Sequence, residues 1–318
     1  MVGAGSFGKN HLRVIHNSPH AELAGVLDSN KVRAAEVASP YGCSVFDSLE
    51  ELAAQADATI VATPTVTHAE LGCKLIELGL DVMVEKPISN TRAGASALVE
   101  AADRHGRILQ VGHLERFNPA ILALESVMTT PLFFEVHRLS EFSPRSLDVD
   151  VVLDLMIHDL DILLALTRSK PEEIRAAGIS ILSSKVDIAN VRLQFPGGCI
   201  ANITASRVST ERVRKLRLFQ PHEYISLDYG RQDAVRFRVK PSTTPPSGAF
   251  PGIDFAPLTV AKDEPLRLEL ENFFESISTR RPPRVTGQQG VAALEVALDI
   301  SAKIEEHAGL VAQTLGQA

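Results

Sequence analysis

The chain has 318 residues, 45% hydrophobic and 22% charged, so it can bury a large core and is long enough for two ordinary domains. Its formal net charge of −7 argues against a nucleic-acid-binding protein, because such proteins usually carry a basic excess that replaces counterions on phosphates. Cys43, Cys73 and Cys199 lack the spacing of a zinc site or a disulfide framework, and no apolar run approaches the ~20 residues of a membrane span, so we expect a cytoplasmic protein with no membrane partner.

The chain opens on a glycine-rich motif, Gly3-Ala4-Gly5-Ser6-Phe7-Gly8. Its spacing suits a dinucleotide pyrophosphate at a helix N-terminus, because glycines permit a tight turn and close approach of the backbone. Glycine turns in ordinary loops share this spacing, so the motif alone leaves both interpretations open. Only Met1 and Val2 precede Gly3, whereas a strand usually has ~5 residues. We therefore expect a shortened first strand, as a gene start set too late would produce, and lower stability unless another segment fills its place.

Short apolar runs alternate with amphipathic stretches over the first third of the chain. The clearest runs are residues 23–27, 58–61, 82–84 and 108–111, and helical patterns at 69–78 and 93–105 lie between them. This alternation predicts a parallel sheet with crossover helices on both faces. The first domain is therefore expected to be a doubly wound dinucleotide-binding domain.

Asp28 closes the second predicted strand, with Ser29 beside it. At this position a carboxylate usually accepts hydrogen bonds from the adenosine ribose hydroxyls. A 2′-phosphate would meet like-charge repulsion there, which Lys31 and Arg33 could partly offset, so the sequence favours NAD over NADP. Asp28 could also cap the next helix, and the two roles can coexist.

Small hydroxyl groups follow the next strand, in Ala62-Thr63-Pro64-Thr65 and Thr67-His68. They begin a helix at the carboxyl edge of the sheet, where ligands bind in open α/β sheets. Thr63, Pro64, Thr67 and His68 are therefore candidates for cofactor contacts. Capping of that helix by Thr65 or Thr67 explains the same pattern equally well.

Glu85-Lys86-Pro87 ends a strand of buried type, residues 81–84. The proline restricts Lys86 to extended or turn geometry, and the bond between them can be cis. With Glu85 and a nicotinamide beside it, the Lys86 ammonium could orient a substrate hydroxyl and stabilise the alkoxide that develops as hydride leaves. An isolated lysine after a strand is usually a solvated charge, and the surrounding motifs favour the catalytic interpretation.

After Pro119 the pattern changes to longer alternating segments at 132–137, 191–195, 200–206 and 212–219. They predict an antiparallel sheet with one buried face. The proline-rich stretch 241–257 is expected to form a surface loop or lid, or to be disordered, and helical patterns follow at 266–278 and 291–307. We expect a first domain at 1–113 and a second at 114–318, whose C-terminal helix could pack back on the first.

The segment 150–167 is apolar on almost every side. Its polar residues Asp150, Asp154, His158 and Asp161 are spaced by four, four and three, which places them on one helical face. Because an all-round apolar helix is normally buried, this face should line a cleft. His158 is then the candidate general base, and Asp154 can orient its ring and favour its protonated form. The alternatives are a capped helix with a modest wet face and, with less support, a metal site, which a hydride reaction does not need.

Residues 112–119 mark the predicted crossing into the second domain. Arg116 could bind a phosphate or carboxylate and Asn118 a sugar hydroxyl, or either could brace the junction. His113, in the same stretch, is a further cofactor candidate. A basic cluster later in the chain could neutralise a diphosphate, although a solvated strand face explains it better; it consists of Arg212, Arg214, Lys215 and Arg217.

These motifs resemble those of the glucose-fructose oxidoreductase, inositol dehydrogenase and MocA family over essentially the whole chain. Gly3-Ala4-Gly5-Ser6-Phe7-Gly8 is similar to the fingerprint of that family, Glu85-Lys86-Pro87 to its catalytic lysine motif, and Asp154 with His158 to its catalytic pair. The resemblance implies an NAD-binding Rossmann domain followed by an α+β domain. It also implies that a large, open, mostly antiparallel sheet of the second domain forms the interface of a homodimer or homotetramer.

Within the family, residues 111–119 and 153–161 look most like those of nucleotide-sugar 3-dehydrogenases. That resemblance implies oxidation of the C3 hydroxyl of UDP-N-acetylglucosamine by NAD. Lys86 and His158 would then hydrogen-bond the hydroxyl, and His158 would accept its proton directly or through water. Asp154 would adjust the proton affinity and orientation of the histidine. A partner aminotransferase would then make the 3-amino sugar used in lipid A. The alternative substrate is UDP-N-acetylglucosaminuronic acid, whose C6 carboxylate would require an additional cation in the site. The alternative class of protein is a non-catalytic binder of NAD and a sugar nucleotide.

Overall fold

The computed structural model describes residues 1–142, 149–239 and 252–316. The chain divides into two compact units. The first unit comprises Met1–Phe117 and Glu264–Leu294, and the second comprises Asn118–Asp263 and Glu295–Ala318. The first break thus falls after Phe117, and residues 264–294, which the sequence assigned to the second domain, belong to the first unit.

Nine α-helices and thirteen strands are present among the described residues. The helices are α1 Ser6–His16, α2 Lys31–Ala38, α3 Leu49–Ala53, α4 His68–Glu77, α5 Arg92–His105, α6 Pro119–Val127, α7 Ile157–Thr167, α8 Pro265–Thr279 and α9 Gly287–Gly316. The strands are β1 Gly25–Val26, β2 Ser44–Val45, β3 Ala58–Val61, β4 Asp81–Glu85, β5 Leu109–Gly112, β6 Phe133–Leu139, β7 Glu173–Ile179, β8 Ile188–Gln194, β9 Ile200–Ser206, β10 Val213–Gln220, β11 Glu223–Asp228, β12 Asp233–Val239 and β13 Ile253–Pro257. No helix in these described ranges has the length and apolarity needed to cross a membrane.

Parallel strands form the centre of the first unit, as the alternating pattern predicts. β1 pairs with β2, and β3, β4 and β5 pair in that order. All five residues of β4 are buried, because helices cover both faces of a parallel sheet. The crossover helix α5 is capped by Thr91, whose side chain accepts a hydrogen bond from the Gly94 amide at 3.1 Å, and is followed by Gly106 in the left-handed conformation.

Met1 and Val2 occupy the position of the first strand. Val2 forms single parallel bridges to Leu27 on one side and to Val61 on the other. The buried amino group of Met1 donates a hydrogen bond to the Gly25 carbonyl at 3.1 Å, and burial lowers its pKa to about 5. These two residues therefore join the β1 and β3 portions of the sheet, although the segment is as short as the sequence predicts.

Helix α8 explains why residues 264–294 belong to the first unit. Its buried side chains Leu270 and Phe273 share one apolar core with Leu12 of α1, Val26 of β1 and Met83 of β4. Apolar side chains along this helix would otherwise face water, so their burial holds the segment on the sheet.

One eight-stranded sheet dominates the second unit. Its order is β13-β12-β11-β10-β6-β9-β8-β7, and every neighbouring pair is antiparallel except β6 and β9. Side chains alternate between a buried face and an open face, so the one-face-buried expectation is confirmed. The loop expected at 241–257 is wrong for Ile253–Pro257, which pairs with β12, and the rest of it up to residue 251 lies outside the described residues.

Candidate active site

A cavity of about 700 Å³ lies where the strands of the first unit end. Ligands of open α/β sheets bind at this edge. Seven of the predicted cofactor residues line it, namely Gly3, Gly5, Asp28, Ser29, Thr63, Pro64 and Thr67. The structure therefore brings together three segments of the chain that the sequence linked only by their position after successive strands.

The three motif glycines meet different steric demands. Gly3 has φ +98°, and a β-carbon there would lie 2.4 Å from the Ala62 carbonyl oxygen. A β-carbon on Gly8 would lie 2.1 Å from the Gly3 oxygen, whereas one on Gly5 would have no atom within 4 Å. The first and third glycines thus pack the loop, and Gly5, at the start of α1, leaves its backbone open to the cavity. This arrangement fits the pyrophosphate of a dinucleotide.

Asp28 is held as an anion at the wall of the cavity. Its Oδ2 accepts the Ala4 amide at 2.7 Å, and its Oδ1 accepts the Asn30 amide at 2.8 Å and the Arg33 guanidinium at 2.7 Å. Burial alone would raise the pKa of this carboxyl, but the Arg33 and backbone hydrogen bonds hold the pKa below its usual value. The side chain of Asn30 caps α2 by accepting from the Arg33 amide, so helix capping by Asp28 was wrong.

The threonines of the predicted hydroxyl-rich loop contact one another and the main chain. Thr63 and Thr67 join their hydroxyls at 2.8 Å, and the Thr67 hydroxyl donates to the Pro64 carbonyl at 2.8 Å. No side chain caps the start of α4, so capping by Thr67 is not what the structure shows. The loop is instead fixed as part of the cavity wall.

The other predicted cofactor residues do not line this cavity; they are Ser6, Phe7, Gly8, His68, Glu85, Lys86 and His113. His68 and His113 are each 1% exposed. The His68 ring nitrogens lie 2.8 Å from the Pro87 and Thr63 carbonyl oxygens, so this side chain faces the main chain of two loops. Direct cofactor contact by these residues stays a prediction.

Lys86 follows β4 directly, and its peptide bond to Pro87 is cis, as the sequence allows. The side chain of Glu85 turns inward, where its Oε1 lies 2.7 Å from His11 Nε2. Its Oε2 accepts the Lys86 amide at 3.3 Å. Glu85 thus contacts a residue of α1 that sequence reasoning missed.

His158 is the second residue of α7, which follows a π-helical turn, Val152–Met156, that the α-helical spacing did not predict. Such turns add a residue to the helix and occur often at functional sites. Asp150 starts the segment by accepting the Val152 and Leu153 amides at 2.9 Å each. Asp154 and His158 are half-buried, whereas Asp161 is 2% exposed, so the polar stripe is narrower than predicted.

A buried ion pair holds α7 on the sheet of the second unit. Arg138 of β6 bonds both oxygens of Asp159, at 2.6 and 2.9 Å, and its guanidinium lies over the Tyr229 ring at 5.2 Å. Sequence reasoning missed this pair. The available signal was one acidic residue, Asp159, on a helical side that is otherwise apolar, because such a charge is almost never buried without a partner.

Asn118 and Arg116 are buried, at 3% and 6% exposure. The Asn118 side chain accepts the Ala120 amide at 3.1 Å, which caps α6, and donates to the Tyr229 carbonyl at 3.1 Å. The main-chain oxygen of Arg116 accepts a hydrogen bond from Arg284 at 3.0 Å. Both Asn118 contacts lie within the second unit, and binding of a sugar hydroxyl by Asn118 stays a prediction.

Successive side chains of β10 point to opposite faces of the sheet, which separates the residues of the predicted basic cluster. Lys215 and Arg217 lie on the open face, and Arg217 donates to Glu135 at 2.8 Å. Arg214 lies on the opposite face, with buried Leu216. The prediction of a single diphosphate site formed by the cluster is therefore wrong.

Within the described parts of the chain, no group of three histidine, cysteine or acidic residues is placed to hold a metal ion.

Residues 1–113 match the oxidoreductase family with an NAD-binding Rossmann fold, and residues 121–220 match the GFO/IDH/MocA C-terminal domain. The chain belongs to the Gfo/Idh/MocA family. The predicted family, the Rossmann fold with its second sheet domain, the NAD-type cofactor and the oxidoreductase class are thereby confirmed.

Relatives within the Gfo/Idh/MocA family cover nearly the whole chain. UDP-N-acetylglucosamine 3-dehydrogenase of Acidithiobacillus ferrooxidans is 36% identical over 305 residues, which cover 95% of this chain and 96% of that protein. A solved structure of that enzyme matches with a TM-score of 0.90 and 35% identity over 96% of each chain. Inositol 2-dehydrogenase of Rhizobium meliloti is 26% identical over 315 residues, 93% of each protein.

Proposed function

We propose that this protein oxidises the C3 hydroxyl of UDP-N-acetylglucosamine to a ketone with NAD. The observation that carries the proposal is the likeness to the Acidithiobacillus ferrooxidans enzyme, 36% identical over 95% of the chain. The match in fold, with a TM-score of 0.90 over 96% of each chain, shows that the likeness extends over nearly the whole chain. Fold alone would not assign a substrate, because one fold hosts many reactions.

NAD would be held by the open backbone at Gly5, by the N-terminus of α1 and by the Asp28 carboxylate. The steric demands at Gly3, Gly5 and Gly8 and the anionic state of Asp28 support this assignment. Bound NAD supplies the acceptor for the hydride that leaves C3. A 2′-phosphate would lie beside the Asp28 carboxylate, so the protein should prefer NAD over NADP.

Lys86 and His158 supply the acid–base chemistry in this proposal. The Lys86 ammonium donates a hydrogen bond to the C3 oxygen and stabilises the negative charge that develops on it. His158 accepts the hydroxyl proton, directly or through a water molecule, because a neutral imidazole is a competent base near pH 7. Asp154 lies one turn before His158 and orients the ring. Arg116 is retained as a candidate contact for the substrate.

Absorbance at 340 nm tests the activity, because only an oxidised substrate produces NADH. The purified protein is given NAD with UDP-N-acetylglucosamine, UDP-N-acetylglucosaminuronic acid or UDP-glucose. NADH with the first sugar supports the proposal, and NADH with only the second supports the alternative substrate. Binding of NAD and a UDP-sugar by calorimetry without NADH would instead support the non-catalytic class.

Deuterium at individual carbons identifies the oxidised position. UDP-N-acetylglucosamine labelled at C3 should react several-fold more slowly when hydride transfer limits a single turnover, whereas the C4-labelled sugar should not. The variant Lys86→Ala should lower kcat more than it weakens NAD binding, and His158→Asn should keep NAD binding while losing most turnover. Slowing by the C4 label alone would place the oxidation at C4, and slowing by neither label would place it at another carbon.

We further propose that the open face of the second unit's sheet binds a second copy of this chain. A row of aromatic rings crosses five strands there, with neighbouring centroids 4.9–5.7 Å apart: Phe133, Phe219, Tyr224, Phe237 and Phe255. Phe255 is 64% exposed and Phe219 is 37% exposed. A contiguous apolar surface of this kind marks an interface rather than a solvated face.

Sedimentation velocity tests the assembly. Phe237→Arg should shift the protein toward monomers, because a charge in an apolar interface is costly to bury. Val32→Arg, at a residue of the first unit that is 69% exposed, is the matched control. A wild-type monomer, or a Phe237→Arg variant that assembles normally, would refute the interface.

The product of the proposed reaction is a ketone, so the reaction that consumes it should be one that acts on carbonyls. We propose transamination to a 3-amino sugar by a partner aminotransferase in the cytoplasm, in the supply of lipid A. A Schiff base with an amine donor requires the carbonyl that this protein would form. Adding such an aminotransferase with its amine donor should increase the NADH formed at equilibrium, and no increase would argue against the coupling.

A further inference from the structure

We propose that two buried histidines, His11 and His68, are positioning residues for Lys86. The inference rests on the proposed catalytic role of Lys86. Each histidine holds one of the two residues that flank the lysine, and each comes from a different helix of the first unit, α1 or α4. Together they fix the main chain on both sides of Lys86.

His11 acts on the residue before the lysine. Its Nε2 lies 2.7 Å from Glu85 Oε1, and both residues are buried, at 0% and 8% exposure. The other carboxylate oxygen of Glu85 accepts the Lys86 amide at 3.3 Å. One carboxylate therefore connects the helix that follows the glycine motif to the backbone of Lys86. A charge-assisted hydrogen bond in a buried site is strong and directional.

Gly112 on the neighbouring strand makes room for the Glu85 carboxylate, because it has no side chain. A β-carbon on Gly112 would lie 2.8 Å from Glu85 Oε2 and 2.9 Å from its carboxylate carbon. The carboxylate thus occupies the space that a side chain at position 112 would fill, beside His11. A larger residue at position 112 would displace it.

His68 acts on the residue after the lysine. Its Nδ1 lies 2.8 Å from the Pro87 carbonyl oxygen, and its Nε2 lies 2.8 Å from the Thr63 carbonyl oxygen. Carbonyl oxygens only accept hydrogen bonds, so the ring satisfies both when both nitrogens carry a proton. This histidine joins the Lys86–Pro87 loop to Thr63 in the wall of the cofactor cavity.

Positioning matters for a lysine because its side chain is long and flexible. An ammonium stabilises a developing alkoxide only when it is already in place, and a displacement of about 1 Å can cost roughly a hundredfold in rate. His11 and His68 would remove freedom from the Lys86 backbone before substrate binds. Neither histidine is expected to touch the reacting atoms.

Asparagine and glutamine variants separate this role from simple structural support. By bond count from the main chain, an asparagine amide nitrogen corresponds to Nδ1 of histidine, and a glutamine amide nitrogen corresponds to Nε2. His68→Asn therefore keeps a donor toward Pro87, and His68→Gln keeps one toward Thr63 instead. At position 11 the order is reversed, because His11→Gln keeps the donor toward Glu85 and His11→Asn loses it.

The proposal predicts a crossed pattern in kcat. His68→Asn and His11→Gln should stay within about tenfold of wild type, whereas His68→Gln and His11→Asn should fall by roughly a hundredfold. KM for both substrates should change only a few-fold in all four variants, because ground-state binding is kept. His105→Gln, at an exposed histidine ending α5, is the control and should match wild type.

A second variant and a spectroscopic measurement cover the case in which a histidine variant does not fold. Gly112→Ala should push the Glu85 carboxylate and lower kcat without altering either histidine. The ¹³C-methyl resonance of reductively methylated Lys86, assigned by its loss in Lys86→Arg, should shift in Gly112→Ala and in His68→Gln. The resonance of Lys170, an exposed residue of the second unit, should not move.

Equal kcat for the asparagine and glutamine variants at both positions, or losses that follow thermal stability alone, would overturn the positioning role. An unchanged Lys86 resonance in Gly112→Ala and His68→Gln would also overturn it. Failure of the proposed function looks different, because Lys86→Ala would then keep full turnover or wild type would form no NADH. The crossed pattern in kcat can be measured only if the wild-type protein turns over. The Lys86 resonance can be measured without turnover, so it tests the positioning role even if the proposed function is wrong.

Discussion

The buried pair between Arg138 and Asp159 should be a main determinant of how firmly α7, and with it His158, is held. Both side chains are buried, at 3% and 0% exposure, and two hydrogen bonds of 2.6 and 2.9 Å join them. Asp159→Asn keeps the shape but removes the anion, which leaves a guanidinium buried beside a neutral amide. Breaking a buried ion pair from one side costs about 3–5 kcal/mol.

Urea unfolding followed by circular dichroism measures this loss. The control Glu306→Gln removes an exposed partner of Lys303, a pair expected to contribute about 0–1 kcal/mol. The double variant Arg138→Met, Asp159→Leu should regain most of the stability, since apolar residues of similar size avoid the desolvation cost of the charges. A loss of less than about 1 kcal/mol for Asp159→Asn would show that the pair does not hold the helix as argued.

Three further outcomes are expected. For Asp187, burial alone would raise the pKa, but hydrogen bonds from the Ser183 hydroxyl and three backbone amides hold the pKa well below 3.8. The carboxylate therefore stabilises the fold fully above pH ~4, and this stabilisation is lost as pH falls through the lowered pKa. Asp187→Asn should lower the free energy of unfolding in urea at pH 6 and lower it much less near pH 2. Asp28→Ser should weaken NAD binding roughly tenfold and allow NADP to bind, because Arg33 loses its carboxylate partner. Fluorescence titrations with NADH and NADPH measure both affinities. An unchanged preference for NADH over NADPH would contradict this reasoning. Gly3→Ala should cost about 1–3 kcal/mol and abolish NAD binding, since φ +98° and the 2.4 Å approach to the Ala62 oxygen both oppose a side chain; calorimetry showing normal binding would contradict this.

Local periodicity was sufficient to predict most of the elements. Helix α5 begins one residue before its predicted range, and β3 and β9 have the predicted bounds. These elements follow patterns that neighbouring residues carry, namely alternation in strands and the 3.6-residue period in helices. The glycine motif and Asp28 were predictable for the same reason, because the turn and the following strand end are set within short stretches of chain.

Features that depend on distant partners were not predictable. His11 and Glu85 are 74 residues apart, and nothing in either neighbourhood specifies the other. The π-helical turn before His158 escaped because a polar spacing of four fits both helix types. β13 was not predicted because it lies at the end of a proline-rich stretch, and it is held by pairing with β12.

The sequence by itself therefore determined the fold class, the cofactor loop and the identity of Lys86, Asp154 and His158 as candidates. Tertiary structure decided which polar residues are buried and what each one contacts. The physical reason is that a buried charge or imidazole must find its partner within hydrogen-bond distance, and only the packed chain brings that partner there.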